Sequence, residues 1–235
     1  MNNQYMKNDV TLLIGTCDRY SFLWDNFVTL CNKYWNVDCV KMFAGENLQV
    51  KHKGYHTVMC GNRNWSDIIK TSLKYIKTEY VFFVLEDYYL NQNITEDFIK
   101  IGIDFMKSHD DANKLVFSSA FCEYYSVENI SGKYFKMLDI SDYLTTTQPA
   151  LWKTSFLNEC LIENMNPWQF EIDGTNIRRN INNKIYIHHM DDIYFNVVNK
   201  GRVIPRWDLF KKIENLSDFK IMVESDLALA KTENI

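Results

Sequence analysis

Glu79-Tyr80-Val81-Phe82-Phe83-Val84-Leu85-Glu86-Asp87 holds the strongest strand signal in the chain: six apolar residues in a row, closed by two acids. An unbroken apolar run of this length, rich in aromatic and β-branched residues, predicts a strand buried on both faces, as in a parallel sheet. The run is far short of the ~20 residues needed to span a bilayer. Upstream, Val10-Thr11-Leu12-Leu13-Ile14-Gly15 is a second such strand, followed by the polar loop Thr16-Cys17-Asp18-Arg19-Tyr20. Phe22, Leu23, Phe27, Leu30 and Cys31 recur at helical spacing, and residues 38–44 read as a strand that stops at Gly45-Glu46-Asn47. The chain therefore opens strand–loop–helix–strand, the unit of a right-handed parallel sheet.

Weaker patterns lie on either side of this unit. Residues 50–58 suggest a loop and a short strand. A helix capped by Asn64 or Ser66 carries Trp65, Ile68, Ile69, Leu73 and Ile76 on one face. Thr95 caps another helix, through Phe98, Ile99, Ile101, Ile103 and Met106. Leu115-Val116-Phe117 predicts a strand, residues 120–145 predict hairpins or loops, and a helix is expected from Thr154 or Ser155 to about Asn164. Lys184-Ile185-Tyr186-Ile187 predicts a strand ending at His188-His189, residues 199–202 a turn, and the tail from Trp207 a helix packed on the domain.

The 235 residues carry 46% hydrophobic, 15% aromatic and 24% charged side chains, an ordinary globular balance. No repeat or linker-like stretch interrupts them, which predicts one α/β domain over 1–235. A net charge of −4 argues against a nucleic-acid-binding face. The first nine residues are polar, with no apolar targeting core, so a cytoplasmic location is expected. Six scattered cysteines without a CxxC pair read as reduced thiols. The Gly-rich phosphate loops, the H-E-x-x-H motif and the G-x-S-x-G elbow are all missing, which removes P-loop kinases, ordinary Rossmann dehydrogenases, zincins and serine hydrolases as first choices.

What remains is carboxylates at strand ends. Ligands of open α/β sheets bind outside the carboxyl ends of the strands. Two acids there suit Mg2+ or Mn2+, held by one or two carboxylates plus substrate phosphate oxygens.

At this point the chain resembles a family. Residues 10–19 look like the opening strand and loop of family 2-type glycosyltransferases with the GT-A fold. Residues 80–88 look like the strand leading into their D-x-D-type motif, and Trp65 to Leu73 resemble the helix before it. Gln148-Pro149-Ala150-Leu151-Trp152-Lys153 and Asn166-Pro167-Trp168-Gln169-Phe170-Glu171 are similar to the acceptor-side segment of bacterial capsule and lipopolysaccharide sugar transferases. The chain departs from the pattern where Glu86-Asp87 is followed by Tyr88-Tyr89 instead of a further acid.

The resemblance implies a GT-A domain with a mostly parallel sheet, a nucleotide-sugar-binding half near 10–90, an acceptor-side half near 91–205 and a helical tail over 206–235. It implies that Thr16, Asp18 and Arg19 line the base and ribose of the donor, with Trp65 on the same side. Glu46 would contact base or ribose, and Glu86 would turn toward ribose, metal or backbone. Asp87 would hold a divalent cation, with His189 as a later metal or phosphate ligand. In a strand, His188 and His189 point to opposite faces, so one at most faces such a site.

The reaction implied is inverting transfer of one sugar from a nucleotide-sugar donor to a hydroxyl of a glycan or lipid-linked acceptor, with Glu171 first and Asp173 second as general base. A lipid-linked acceptor would bring the protein to the cytoplasmic membrane face. Two other functions also fit the residues: a sugar-nucleotide nucleotidyltransferase, and a non-catalytic sugar- or nucleotide-binding protein on a degenerate transferase fold.

Overall fold

The computed structural model describes residues 9–109, 112–118, 125–191, 193–199, 202–203, 222 and 224–230. In chain order the elements are β1 (Val10–Gly15), a 3-10 turn (Asp18–Leu23), α1 (Trp24–Tyr34), β2 (Trp35–Asn36), β3 (Val40–Gly45), β4 (Tyr55–Met59), α2 (Trp65–Leu73), β5 (Tyr80–Leu85), β6 (Tyr88–Leu90) and β7 (Ile94–Thr95). They continue with α3 (Glu96–Ser108), β8 (Lys114–Ser118), β9 (Val127–Ser131), β10 (Tyr134–Met137), β11 (Ala150–Lys153), α4 (Thr154–Cys160), α5 (Pro167–Arg178), β12 (Ile185–His189), β13 (Tyr194–Asn196), β14 (Val198–Asn199) and β15 (Arg202–Val203).

A nine-stranded sheet of order β4-β3-β1-β5-β11-β8-β12-β10-β9 forms the middle layer. β4, β3, β1 and β5 are mutually parallel, and β8 pairs parallel with β12. β11 and β10 run against their neighbours, so seven of the nine strands share one direction. The sheet is mostly parallel and has helices on both faces.

β5 is the most apolar strand because both of its faces are covered. Tyr80, Phe82 and Val84 pack toward α1 and α3, while Val81 and Phe83 pack toward α2, α4 and α5. Each fully buried side chain of this size contributes roughly 1.5–3 kcal/mol. The centre of the sheet thus holds the carboxyl end of β5, and the acids that follow it, in place.

Several boundaries differ from the sequence expectation. β3 begins at Val40, whereas the loop and short strand expected over 50–58 form, the strand being the edge strand β4 at Tyr55–Met59. Ser66 caps nothing at α2; its Oγ accepts the Met165 amide at 2.9 Å, tying α2 to the chain before α5. Ile101 lies on the solvent face of α3, 56% exposed, while Ile99, Ile103 and Met106 are buried. The helix expected to reach Asn164 stops at Cys160, because Leu161 turns extended and Asn164 adopts a left-handed φ of 65°. The expected helix cap at Thr95 forms, accepting the Phe98 amide at 3.2 Å. Most of the expected helical tail lies outside the described residues. Residues 224–230 are helical, and Asp226 is buried there, accepting hydrogen bonds from Tyr89 Oη at 2.6 Å and Asn26 Nδ2 at 2.7 Å. No described helix is long and apolar enough to cross a membrane. The five described cysteines are free thiols.

One buried charge in this core sets a pH dependence. Lys114, on β8, is fully buried, with Nζ 4.2 Å from the Trp152 ring centre and donating to the Leu144 carbonyl at 3.3 Å. Burial pushes its ammonium down to about 7, against smaller opposing effects of Cys160 and Glu171. The unfolded chain keeps this proton up to the ordinary lysine range, so between about pH 7 and 10 the unfolded state binds more protons and Lys114 favours folding increasingly as pH rises. Denaturant unfolding of the native chain and Lys114→Met should therefore diverge with pH. The stability difference is expected to move in favour of the native chain by up to about 1.4 kcal/mol per unit above pH 7. A pH-independent difference would show that Lys114 does not titrate in this range.

Candidate active site

The loops after β1, β3, β4 and β5 all emerge at one edge of the sheet, because those strands are parallel and in register. At the β1/β5 position this edge holds a cavity of about 310 Å³. Thr16, Trp65, Glu86, Asp87, Trp168 and Glu171 are in its wall, with Cys17, Tyr20, Tyr88, Thr147 and Asn196 beside them.

Glu86 and Asp87 are adjacent but do different things. Glu86 turns inward: its Oε1 accepts from Thr16 Oγ1 at 3.1 Å and from the Cys17 amide at 3.4 Å. Thr16 Oγ1 in turn accepts the Trp24 indole N–H at 2.7 Å. Burial, then the Asp87 charge, raises the Glu86 carboxyl well above its usual range. Glu86 is thus a buried tie between the β1 and β5 loops. Asp87 is half-buried and lines the cavity, and its Oδ1 is buried with no hydrogen-bond partner among the described residues. Burial, with the Glu171 carboxylate adding to it, pushes Asp87 up to about 7. A buried acceptor without a donor costs on the order of 1–3 kcal/mol, more when charged, unless something binds it.

Glu171 reaches the cavity from α5. Asn166 caps that helix through a capping box with Gln169, and Pro167 stands in its first turn. Glu171 Oε1 accepts from Thr146 Oγ1 at 3.1 Å and from both the Thr147 amide and Thr147 Oγ1 at 2.7 Å. Its Oε2 has no hydrogen-bond partner among the described residues. The threonine strap that orients Glu171 is fixed from below by Thr145, whose Oγ1 donates to the Phe170 carbonyl at 2.6 Å. Gly174 permits this close approach, since a Cβ there would sit 2.8 Å from Thr145 Oγ1.

Asp173, the second candidate base, is exposed and outside the cavity wall. Two residues beyond Glu171 on a helix is about 200° of rotation, which turns it away. Arg19 is exposed on the 3-10 turn and lines neither this cavity nor the polar groove next to it. That groove, about 490 Å³ and open, contains Glu46 with Asn62, Arg63 and Asp67. Asp18 lines neither space: its amide donates to Glu46 Oε2 at 2.8 Å, and its carboxylate accepts the Asn47 and Leu48 amides at 3.0–3.2 Å. His189 is not brought to Asp87. β12 lies three strand spacings from β5, about 14 Å at ~4.8 Å each, and His189 packs edge-on against the Phe135 ring at 6.4 Å. His188 takes the opposite face and stacks on Tyr134 at 4.7 Å. Among the described residues, no three His, Cys, Asp or Glu side chains converge as a ready metal cage.

Sequence reasoning missed Thr147, Tyr88 and Asn196. The run of three threonines, unusual for a loop and buried throughout, was the available signal for the first. Asn196 reaches the cavity because β13 pairs with β6 and the Val197 amide donates to the Asp87 carbonyl at 2.9 Å, contacts about 110 residues apart in sequence.

No protein-family profile matches the chain, and no curated protein does. Solved structures match its fold. S. aureus TarS 1–349 in complex with UDP-GlcNAc superposes with a TM-score of 0.55 at 11% identity, over 96% of this chain and 72% of that one. The fold is GT-A-like. The mannosyltransferase PcManGT from Pyrobaculum calidifontis, in complex with GDP-Man and Mn2+, matches with a TM-score of 0.54 at 10% identity, over 99% and 72% of the two chains. A UDP-glucose pyrophosphorylase complexed with UDP-glucose matches at 0.50 and 10% identity, over 96% and 99%. Two further TarS structures are spanned over only 37% and 59% of their own length. Across this GT-A-like sheet, the cavity occupies the carboxyl ends of β1 and β5, the position at which open α/β sheets bind ligands.

Proposed function

We propose that the protein is an inverting glycosyltransferase that moves one sugar from a nucleotide-sugar donor to a hydroxyl of a glycan or lipid-linked acceptor, as in bacterial surface-polysaccharide assembly. The observation that supports this most is the pairing, in one cavity, of a buried Asp87 oxygen lacking a partner among the described residues with a Glu171 carboxylate oriented by three donors. The solved complexes of similar fold contain UDP-GlcNAc and GDP-Man with Mn2+, which fits a nucleotide-sugar donor and a divalent cation.

Asp87 Oδ1 is the atom that fits a Mn2+ or Mg2+ ion, a hard cation that seeks carboxylate and phosphate oxygens. Such a cation, when bound, supplies neutralisation of the departing diphosphate. The chain's own residues do the rest. Trp65, at the wall, has a buried indole N–H without a hydrogen-bond partner among the described residues. Glu171 Oε2 accepts the proton of the acceptor hydroxyl. The hydroxyl oxygen forms a bond to the anomeric carbon as the bond from that carbon to the diphosphate oxygen breaks, and the electron pair leaves with the nucleoside diphosphate.

Thermal unfolding with UDP, GDP, CDP, dTDP and CMP, each with Mn2+, Mg2+ or EDTA, tests this reading. One nucleoside diphosphate at ~100 times its dissociation constant should add about 2.7 kcal/mol of stability, in the presence of metal only. No shift with any nucleotide would overturn it. The full-length match to a pyrophosphorylase supports a second reading, nucleotidyl transfer. The loop Gly15-Thr16-Cys17-Asp18 lacks the glycines that chemistry uses, and release of pyrophosphate from a nucleoside triphosphate and a sugar phosphate would decide for it.

A further inference from the structure

Trp168, Glu171, Ile172, Thr175 and Asn176 follow one another along α5 at offsets of 0, 3, 4, 7 and 8, a single helical stripe that runs on to Arg179 at the C-cap. The upper part of this stripe, Trp168 and Glu171, lines the cavity of Asp87. The lower part lines a second cavity of about 140 Å³, closed on the other side by Asp142 and Tyr143. Glu171 is a wall of both. A transfer needs two substrates to meet at one base, and Glu171 is the residue the two spaces share.

We infer that the second cavity is the acceptor site, and that the acceptor is a neutral saccharide whose terminal ring sits between Tyr143 and Ile172. This rests on the transferase reading for its reaction but not for its ligand. The volume is below the ~300 Å³ at which drug-sized ligand pockets begin, so it takes a single ring rather than a nucleotide or an acyl chain. Tyr143 is 39% exposed and Ile172 58% exposed, so neither is spent on the core, and together they offer an apolar surface to the C–H face of a sugar. Asn176 Oδ1 accepts from Arg179 Nε at 3.3 Å, which orients the amide and leaves its NH2 as a donor for hydroxyl groups. Arg179 does not act as a phosphate receptor: its guanidinium donates to Asp142 Oδ1 at 2.7 Å and to the Ile140 carbonyl. With Glu171 on one side and Asp142 on the other, the cavity has no net positive charge to attract an anion.

Those Arg179 bonds also fix residues 140–142, and with them Tyr143, whose φ of 55° is a left-handed conformation rare for an aromatic residue. From Glu171 to Arg179 is about 12 Å along the helix axis, so the remainder of a longer glycan would leave the site along α5 toward solvent.

Saturation-transfer NMR tests ligand binding without a donor. The full chain is mixed with neutral methyl glycosides and disaccharides, and separately with sugar phosphates and glycerol phosphate. The expected result is transfer to the ring C–H protons of at least one neutral saccharide, reduced at least fivefold in Tyr143→Ala and in Asn176→Ala and restored toward native in Tyr143→Phe. Circular dichroism confirms that each variant is folded. With the donor from the nucleotide panel, the same substitutions should raise the acceptor KM at least tenfold and move the donor KM less than twofold. Binding of phosphorylated compounds alone, or saccharide binding unchanged in both alanine variants, would overturn the assignment. Saccharide binding that depends on Tyr143, in a protein that binds no nucleotide, would leave the site standing and remove the transferase reading.

Discussion

Asp87→Asn is expected to abolish metal-dependent stabilisation by a nucleoside diphosphate. In the native chain Oδ1 is a buried oxygen without a donor among the described residues, and burial raises the group to about 7, with its own backbone amide giving only a partial offset to the charge. A divalent cation supplies that offset. The amide keeps the shape of the side chain and removes the charge, so the protein should fold but lose at least 100-fold in metal-linked nucleotide affinity. In a thermal-shift measurement the metal-dependent increment, about 2.7 kcal/mol for saturated native protein, should vanish.

The same substitution has a pH signature. Asp87 keeps its proton in the folded chain up to about 7, whereas in the unfolded chain it ionises near its ordinary value. The folded state thus binds more protons across pH 4–7, and the metal-free native chain should lose stability as pH rises through that window. Asp87→Asn should remove the Asp87 share of this loss in EDTA, leaving the share of the buried Glu86 carboxyl. Full metal-dependent binding in the variant would move the cation to another residue.

Glu171→Gln should leave donor binding within a fewfold of native and lower transfer by 10²- to 10⁴-fold, the usual contribution of a positioned general base. The strap formed by Thr146 and Thr147 still meets an oxygen of the glutamine, so orientation is kept while basicity is lost. Assaying nucleoside diphosphate release with donor and acceptor at saturation measures this directly. Native turnover in the variant would exclude Glu171 as the base.

Legibility in the sequence followed the range of the interactions. β1, β5 and the helix over Trp65–Leu73 were readable because their signals are local: unbroken apolar runs, a 3.6-residue period and a polar residue at the cap. The acids after β5 could be placed at the binding edge, since a parallel strand ends where its apolar run ends. Local signals misplaced the end of α4, where Leu161 turns extended and the chain runs on to Met165, whose amide pairs with Ser66 about 100 residues away. The family resemblance pointed to His189, which is next to an apolar strand in sequence but sits on a strand on the far side of β11 and β8.

By itself the sequence determined the α/β class, the parallel half of the sheet and the carboxylates at its edge, because hydrophobic burial is written residue by residue in the period of the pattern. Only the tertiary structure decided which of those carboxylates are free to act. Glu86 and Asp87 are neighbours in the chain, yet one is tied to Thr16 and the other faces a cavity. Glu171 and Asp173 lie on one helix, yet rotation brings only the first to the threonine strap and leaves the second in solvent. Hydrogen-bond partners supplied by distant segments, and the side on which each residue meets them, exist only once the chain has folded.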